Sequence, residues 1–429
     1  MQRGLYLFYR FASWLRYGIR RRLTKAGLLV GAGLVASAVL GLDTNRSVAY
    51  QAFTFLLFLL MVSAASSLWF RPRLSVTRKL PRFATVGEPL SYSILVRNQT
   101  SQPWDNLLLQ EKESDPRPSV EEFIRVKNPV GLFARWSRLV ARHKVATFEE
   151  LALPPLSPRG EVEARPAIMP LRRGQVRLAG VTVARPDPFG LFKSLVTLPA
   201  EGSLLVLPKR YKVPDIKLPG TRKHQSGGVA LASSVADSEE FVSLRDYRPG
   251  DPLRHIHWKS WAKAGKPIVK EYQDEFFVRH ALVLDTFLET GAEEVFEEAV
   301  SVAASFACSI ETQDTLLDLM FVENQVYCFT AGRGVGGVDR MLEVLASVQG
   351  SLDKPFSELR DAVLERRGTM SGCICILLAW NEQRQDFIRD LTAAGIPVLV
   401  LIVTDAEVPS LPHVHRLEVG KIAEGLAKL

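Results

Sequence analysis

Residues 238–272, SEEFVSLRDYRPGDPLRHIHWKSWAKAGKPIVKEY, carry the side chains best suited to recognition or catalysis. Pro249 and Gly250 predict a type II turn, because proline fixes φ at the first central position and glycine accepts a positive φ at the second. A second turn at 265–267 leads into a predicted short strand, 268–272. Charged side chains of alternating sign surround the first turn: Arg245, Asp246, Arg248, Asp251 and Arg254.

The two histidines of this stretch raise the question of catalysis. Residues 254–259 alternate in character, which predicts a strand with His255 and His257 on one face and Trp258 on the other. Together with Asp251, two imidazoles could supply the acid and base of a hydrolase. A third metal ligand is not evident beside them, and solvent-facing or stacked imidazoles are the simpler interpretation. The sequence contains neither a G-x-S-x-G elbow nor a G-x-x-x-x-G-K-[ST] phosphate loop.

Three interpretations of the stretch remain open. Its ion pairs could lock two domains together, since bidentate arginine–carboxylate geometry is rigid. It could bind a partner or ligand, since charged and aromatic loops are frequent sites. It could be catalytic, around Asp251, His255 and His257. The residues that we assign to a partner-binding or interdomain surface are Arg245, Tyr247, Arg248, Asp251, Arg254 and Trp258.

The pattern E-F-x-x-L-R-D-Y-R-P-G-D-x-x-R-x-I-x-W-K-x-x-A, beginning at Glu240, resembles the signature of a bacterial family known as domain of unknown function fifty-eight. Residues 187–192, DPFGLF, preceded by Arg173 and Gly174, resemble that family as well. The resemblance covers nearly the whole chain. It implies a membrane hairpin, a β-rich middle part, the signature and a von Willebrand factor A-like domain, in that order. It also implies a partner ATPase of the MoxR type and a role in assembling or activating other complexes, without a settled activity.

Length and charge limit the function classes. A chain of 429 residues should hold two or three folded units. Residues 1–82 contain 13 Lys and Arg and one acid, Asp43, so their net charge is +12, whereas the remainder carries −4. A nucleic-acid-binding protein would carry its basic patch on the folded part. We therefore expect no nucleic-acid partner.

Two charge-free apolar stretches, 26–42 and 48–70, predict a transmembrane hairpin within an N-terminal segment, 1–82. Basic residues flank both outer ends, while the connecting loop has only Arg46. The positive-inside rule then places both termini in the cytoplasm and the chain in the inner membrane. The aromatic stretch 5–17 predicts an interfacial helix or aromatic belt. The four cysteines, Cys308, Cys328, Cys373 and Cys375, lack zinc-type spacing and suit a reducing compartment.

Residues 83–215 predict an antiparallel β-sandwich-like domain, because short alternating strands are separated by Pro and Gly turns. An insertion at 113–147 interrupts the strands. Within it, 131–143 has apolar residues at helical spacing, among them Trp136. This helix could pack on the sandwich, or it could lie on the inner leaflet of the membrane. Residues 216–276 form a linker that contains the signature.

Residues 277–429 predict an α/β domain with a mostly parallel sheet, because buried apolar strands alternate with helical segments. The resemblance implies a von Willebrand factor A-like fold, which often binds a divalent ion through Asp-x-Ser-x-Ser. Here Asp285 is present, but Phe287 and Glu289 replace both serines. Asp285 and Glu289 are weak metal candidates, because a hard cation needs several converging oxygens. We predict no cofactor.

The fold class expected is therefore multidomain: a two-helix transmembrane hairpin, an antiparallel β-sandwich-like middle domain and an α/β von Willebrand factor A-like C-terminal domain. The function expected is that of a non-enzymatic, membrane-anchored cytoplasmic protein that binds or assembles other proteins, with a MoxR-type AAA+ ATPase as partner. The alternative is a membrane-bound hydrolase with its site around Asp251, His255 and His257.

Overall fold

The computed structural model describes residues 2–40, 47–112, 117–125, 132–214, 223–224, 241–251, 253, 256–272, 276–288, 291–310, 315–332, 337–351, 354–408, 411 and 413–429. These residues form two compact units, Met1–Val206 and Leu207–Leu429. We call them unit 1 and unit 2 and describe each by itself.

Unit 1 begins with helices. Its helices are α1 (Gln2–Arg22), α2 (Lys25–Leu40), α3 (Ser47–Ser66), α4 (Val120–Arg125) and α5 (Leu132–His143), with a 3₁₀ turn at Ser67–Trp69. Within the described ranges, Val48–Ser66 is the helix that is long and apolar enough to cross a membrane, judged by length and composition. The shorter α2 is apolar too and contacts α3. The predicted connection between them lies outside the described residues.

The rest of unit 1 is antiparallel β-structure. Its strands are β1 (Leu74–Lys79), β2 (Phe83–Thr85), β3 (Leu90–Ser91), β4 (Ser93–Asn98), β5 (Leu108–Lys112), β6 (Ala146–Phe148), β7 (Leu151–Ala152), β8 (Glu161–Ala164), β9 (Ala167–Pro170), β10 (Gly174–Pro186) and β11 (Lys193–Leu207). They form sheets in the orders β1-β4-β8, β2-β11-β10-β5-β7 and β3-β9-β6. Inward-facing residues of these sheets, such as Ile94, Leu109 and Val183, share one buried core. The β-structure begins at Leu74, earlier than the expected start at residue 83.

A buried polar network crosses this core. The Arg78 guanidinium pairs with the Glu111 carboxylate at 2.5 Å and donates to the carbonyl oxygens of Ala200 and Gly180. The Tyr92 hydroxyl donates to the same carboxylate. Burial raises the pKa of Glu111, while the tyrosine hydrogen bond and the arginine beside it work in the opposite direction. Arg78 and Glu111 thus neutralise each other, as low-dielectric surroundings require.

Helices α1, α4 and α5 meet in an aromatic cluster. Tyr6 of α1, Phe123 of α4 and Trp136 of α5 contact one another at ring-centroid distances of 5.8 Å, and Leu139 is buried beside them. The Tyr6 hydroxyl donates to the Pro118 carbonyl at 3.0 Å. Helix α5 therefore packs on α1 and α4 through Trp136. The expectation that this segment packs on the sandwich is wrong, because its apolar residues contact other helices instead.

Unit 2 contains a small hairpin and an α/β sheet. Its strands are β12 (Lys223–His224), β13 (Phe241–Asp246), β14 (Ile268–Tyr272), β15 (Phe276–Leu284), β16 (Thr315–Val322), β17 (Val326–Ala331), β18 (Gly372–Leu377), β19 (Val398–Val403) and β20 (Val414–Leu417). Its helices are α6 (Trp258–Ala264), α7 (Glu293–Ser309), α8 (Val338–Ser347), α9 (Ser357–Glu365), α10 (Glu382–Ala393) and α11 (Ile422–Leu426). Strands β13 and β14 pair only with each other in the described part of the chain.

The main sheet of unit 2 has the order β17-β16-β15-β18-β19-β20, with β12 paired to β15. All neighbours along this order are parallel except β16 and β17. Side chains on both faces are buried: Leu282 and Leu284 face one core, and Ala281 and Val283 face the other. Continuous apolar strands such as β18 are typical of a sheet covered on both faces. The prediction of a mostly parallel α/β sheet is confirmed.

Candidate functional site

The signature residues build the hairpin of β13 and β14, with helix α6 between its two strands. Residues 241–246 pair with residues 268–272 in antiparallel register. Two further bonds fasten the connection: Tyr247 N–H donates to the Pro267 carbonyl at 3.0 Å, and His257 N–H donates to the Ile268 carbonyl at 2.8 Å. Ile256 and Val269 are buried and bridge to each other. The predicted strand 268–272 is confirmed.

The turn at Pro249 and Gly250 is held by Asp251. The Arg245 guanidinium makes two parallel bonds to this carboxylate, Nη1 to Oδ2 at 2.7 Å and Nη2 to Oδ1 at 2.8 Å. Asp251 Oδ2 also accepts from Arg248 N–H at 2.8 Å, and Asp251 N–H donates to the Arg248 carbonyl at 3.0 Å. The φ of +108° at Gly250 agrees with the predicted type II turn. Both oxygens of Asp251 are therefore committed to holding the loop.

The same bonds weaken Asp251 as a base. The hydrogen bonds from Arg245 and from the Arg248 backbone lower the pKa of Asp251 to about 2. A carboxyl with a lowered pKa in the folded state stabilises the fold above its unfolded pKa, about 3.9, and this contribution is lost as the pH falls toward 2. A carboxylate of such low basicity, with both oxygens already bonded to Arg245 and Arg248, does not suit a general base.

Trp258 begins α6 rather than continuing a strand. The prediction of a strand over 254–259 is wrong for its last residues, because 258–264 are helical and end at Gly265 with φ +69°. The Trp258 and Trp261 rings stack at 5.2 Å, with 19° between their planes. Trp258 and Leu253 are nevertheless 65% and 68% exposed. We call the exposed side chains of Arg248, Leu253 and Trp258 the signature surface.

The histidines do not join Asp251 in the described part of the stretch. His257 Nδ1 lies 2.6 Å from the Ser260 hydroxyl, within the first turn of α6. The bonds of Asp251 run to Arg245 and Arg248 instead. Arg254 and His255, both predicted site residues, lie outside the described residues. Of the proposed acid–base group, Asp251 and His257 are therefore engaged with separate partners.

A second candidate position lies where the strand order reverses in the α/β sheet, between β15 and β18. Crevices at the carboxyl ends of such strands are where open α/β sheets bind ligands. Asp285 follows β15 there and is fully buried. The Arg384 guanidinium of α10 pairs with it, Nε to Oδ2 at 3.0 Å and Nη2 to Oδ1 at 3.3 Å. Backbone N–H groups of Phe287 and Leu378 donate to the same carboxylate.

These contacts do not fit a divalent ion at Asp285. Both carboxylate oxygens are bound by a protein cation, and Arg384 also stacks on the Phe356 ring, 4.6 Å from its centroid. The Thr286 hydroxyl donates to the Val322 carbonyl, so it is already bonded to the backbone. Glu289, the other weak metal candidate, lies outside the described residues. Among the side chains that the structure places, no cluster of three His, Cys, Asp or Glu could hold a metal.

The DPFG loop, residues 187–192, fastens the β-rich part of unit 1 to its helices. The buried Asp187 carboxylate accepts from Leu191 N–H and Phe192 N–H at 2.7 Å each and from the Ser63 hydroxyl of α3 at 2.5 Å. The loop then bonds to the corner between α1 and α2. There the Thr24 hydroxyl donates to the Gly190 carbonyl at 2.5 Å, and Thr24 N–H donates to the Leu191 carbonyl at 3.0 Å.

Comparison with known proteins bears on the region that contains the signature. Residues 243–426 match the family described as Protein of unknown function DUF58. The DUF58 match starts inside β13 and includes the turn, α6 and the α/β sheet. The resemblance stated from the signature residues thus has independent support over this part of the chain.

Individual relatives are more distant. The Bacillus subtilis (strain 168) "Uncharacterized protein YeaD" is 26% identical over 248 residues, which cover 56% of this chain and 60% of YeaD. The match therefore spans less than two thirds of YeaD. Two structures of the CARDB domain of the Pyrococcus furiosus PF1109 protein, one in complex with di-metal ions, align with 32% of this chain and with 89% and 94% of their own. Their identities are 16% and 12%, and their TM-scores are 0.18 and 0.15.

Three residues that shape these two positions, Arg384 at Asp285 and Thr24 and Gly27 at the DPFG loop, were not predicted from the sequence. Arg384 is 99 positions from Asp285, and Thr24 and Gly27 approach Gly190 and Leu191, which are more than 160 positions away. An arginine at the third position of a helix carries no local signal for such a role. Gly27 gave a partial signal, because a glycine near a helix start can indicate close approach of another backbone.

Proposed function

We propose that this chain is a non-enzymatic, membrane-anchored protein that binds another protein through the signature surface. The observation that carries the proposal is how the signature residues are used: Arg245 and Asp251 hold the turn, while Leu253 and Trp258, which follow it in the chain, are exposed. A rigid platform with a large exposed aromatic side chain suits recognition, because preorganised surfaces lose little conformational entropy on binding.

The composition of the platform indicates what its partner should offer. Trp and Arg are the residue types that most often dominate binding energy at protein interfaces. Here the signature stretch exposes the cations Arg248, Lys259 and Lys263 as well as Trp258. A partner with an apolar pocket rimmed by carboxylates would complement this surface. The family resemblance suggests an AAA+ ATPase of the MoxR type in this role.

We propose further that both α2 and α3 cross the membrane as a hairpin with cytoplasmic ends. At 1.5 Å per residue α3 is about 30 Å long and α2 about 24 Å, against a hydrocarbon core of about 30 Å. Contact with α3 supports the shorter helix, and the Gly33 position lies against Leu56 with room for close packing. Basic residues at the outer ends of both helices support the orientation.

The α/β part of unit 2 is consistent with a von Willebrand factor A-like domain in this scheme. Its parallel core strands and one antiparallel edge strand, β17, support that assignment. The Asp285–Arg384 pair occupies the position where such domains would bind an ion, so we propose that this domain acts without one. Partner binding would then depend on side chains and not on a metal bridge.

Co-purification tests the proposal. Full-length protein is extracted in detergent from its host at native level, and its partners are quantified by mass spectrometry for wild type, Trp258→Ala and Tyr327→Ala. Tyr327 is a partly exposed aromatic residue of the same unit that lies on β17, outside the signature stretch. We expect a stoichiometric AAA+ ATPase with wild type and Tyr327→Ala, and at least a tenfold loss with Trp258→Ala, as for an interface hot spot of about 2 kcal/mol.

Two outcomes would contradict the proposal. Equal recovery of the ATPase with Trp258→Ala would remove the signature surface as its binding site. Absence of a stoichiometric protein partner from every sample, together with hydrolysis of ester or phosphate probes that is lost in His257→Ala, would favour the hydrolase alternative.

A further inference from the structure

A cavity of about 450 Å³ lies between α1 and α5 in unit 1. Its volume falls in the range of about 300–1,000 Å³ that is typical of small-molecule sites. The two helices contact each other through the aromatic cluster. There the Tyr9 ring stacks on the Trp136 ring, with 6.0 Å between their centroids. The site is therefore built by the packing of two amphipathic helices and not by a loop.

The walls of the cavity combine an apolar lining with cations. Trp136, Val140 and Ala141 of α5 face Tyr9 and Ala12 of α1, which gives a surface that suits a hydrocarbon chain. Arg16 and Arg20, one helical turn apart on α1, line the cavity together with Lys144, which follows α5. None of the lining residues that the structure describes is acidic. An apolar ligand with an anionic group matches this combination.

The surroundings of the cavity narrow the choice of ligand. One face of α1 leaves Phe8, Phe11, Trp14 and Leu15 between 45% and 64% exposed. A helix with such an apolar face and many arginines is typical of the membrane interface. Only the linker at Leu23 and Thr24 separates α1 from the apolar helix α2. If α1 lies at the membrane interface, a ligand that enters the cavity beside α1 comes from the lipid phase.

We infer that the α1–α5 cavity binds one anionic phospholipid. Its headgroup phosphate lies among Arg16, Arg20 and Lys144, and an acyl chain lies along Trp136 and Val140. The inference rests on the proposed membrane location of the chain but not on the proposed protein partner. It gives α5 and the 113–147 insertion a role that is separate from the role of the signature surface.

Native mass spectrometry of the full-length protein in detergent tests the inference. Delipidated protein is titrated with dioleoyl phosphatidylglycerol or dioleoyl phosphatidylcholine, and the bound lipid is counted. We expect one retained phosphatidylglycerol with at least tenfold preference over phosphatidylcholine. The triple substitution Arg16→Gln, Arg20→Gln and Lys144→Gln should lower this affinity roughly tenfold or more, since charge-assisted bonds to a phosphate are lost.

Three further variants make the result specific. The control triple Arg3→Gln, Arg22→Gln and Arg138→Gln removes the same charge from the same helices outside the cavity and should bind as wild type. The charge-retaining triple Arg16→Lys, Arg20→Lys and Lys144→Arg should retain most of the affinity. Ala141→Trp fills the cavity without changing a charge and should abolish retention of the lipid. Melting temperatures of all variants verify that they fold.

Equal phosphatidylglycerol binding by the cavity triple and wild type would overturn the inference, as would an equal loss in the control triple or full retention in Ala141→Trp. Wild-type protein that remains in the membrane fraction but binds neither lipid selectively would overturn the lipid site and leave the anchor intact. Wild-type protein in the soluble fraction of the host would instead overturn the proposed membrane location.

Discussion

Arg384→Ala is expected to lower the free energy of unfolding by about 3–5 kcal/mol, because removing one partner of a buried ion pair leaves an uncompensated charge. Asp285 is fully buried, and without Arg384 only two backbone N–H groups remain near its carboxylate. For a unit of this size such a loss corresponds to a fall in Tm of about 10 °C. Thermal unfolding of the full-length protein measures it.

Arg389→Ala is the matched control for this prediction. Arg389 lies on the same helix, α10, and pairs with Asp386 at the surface, where its side chain is 74% exposed. Exposed pairs contribute about 0–1 kcal/mol, so this variant should melt within about 3 °C of wild type. Equal stability of Arg384→Ala and wild type would show that the buried pair does not stabilise the fold. The double variant Asp285→Leu/Arg384→Met should recover part of the loss.

Gly27→Ala is expected to destabilise unit 1 by about 3 kcal/mol, although alanine is the better helix former. A Cβ at Gly27 would meet the backbone carbonyl of Leu191 far inside van der Waals contact, and it would also approach Leu23. Because the nearest atom belongs to the backbone of the DPFG loop, a side-chain rotation cannot relieve the clash. Either the loop or α2 must move, and the Thr24 bonds to Gly190 and Leu191 would be lost.

Limited trypsin digestion measures this second effect, since an undocked corner exposes the bonds after Arg22 and Lys25. Gly31→Ala serves as the control, because it lies one turn further along α2 and a Cβ there meets no atom within 4 Å. This variant should be as resistant as wild type, with a gain of up to about 1 kcal/mol from helix propensity. Rapid cleavage in both variants, or in neither, would contradict the role given to Gly27.

The α/β sheet could be predicted because local patterns determine it. Strands β18 and β19 are continuous apolar runs, β15 is interrupted only by Arg279 and His280, and the helices between them repeat apolar residues at helical spacing. The last strand and helix, β20 and α11, were not predicted, since four or five residues give too short a period. The turn at Gly250 was also predictable, because only glycine adopts its positive φ without strain.

The sites were predicted less well because their partners are distant in sequence. Charge alternation near Gly250 suggested crossed ion pairs, and the Arg245–Asp251 pair is one of them. The alternation at 254–259 misled, since so few residues cannot separate a strand from a helix start at Trp258. Asp285 was identified as a weak metal candidate, but its carboxylate is bound by Arg384, which comes from α10. No local pattern encodes that contact.

The segment 131–143 shows the same limit. Its helix was predicted, but Trp136, a candidate for a membrane surface, is buried against Tyr6 of α1. Among the described side chains of α5, the exposed large apolar residue is Phe133, at 64%. Amphipathic patterns establish that one face is covered and do not identify what covers it.

Cysteine accessibility tests the central claim most directly, because an ATPase partner requires the signature surface to face the cytoplasm. Lys259→Cys places a thiol on exposed α6 beside Trp258, in a chain whose exposed Cys308 is replaced by serine. Asn45→Cys in the same background marks the loop between the two apolar stretches. We predict that a membrane-impermeant maleimide labels residue 45 in intact spheroplasts and labels residue 259 only in inverted membrane vesicles. Labelling of residue 259 in intact spheroplasts would place the signature surface outside the cytoplasm and contradict the account.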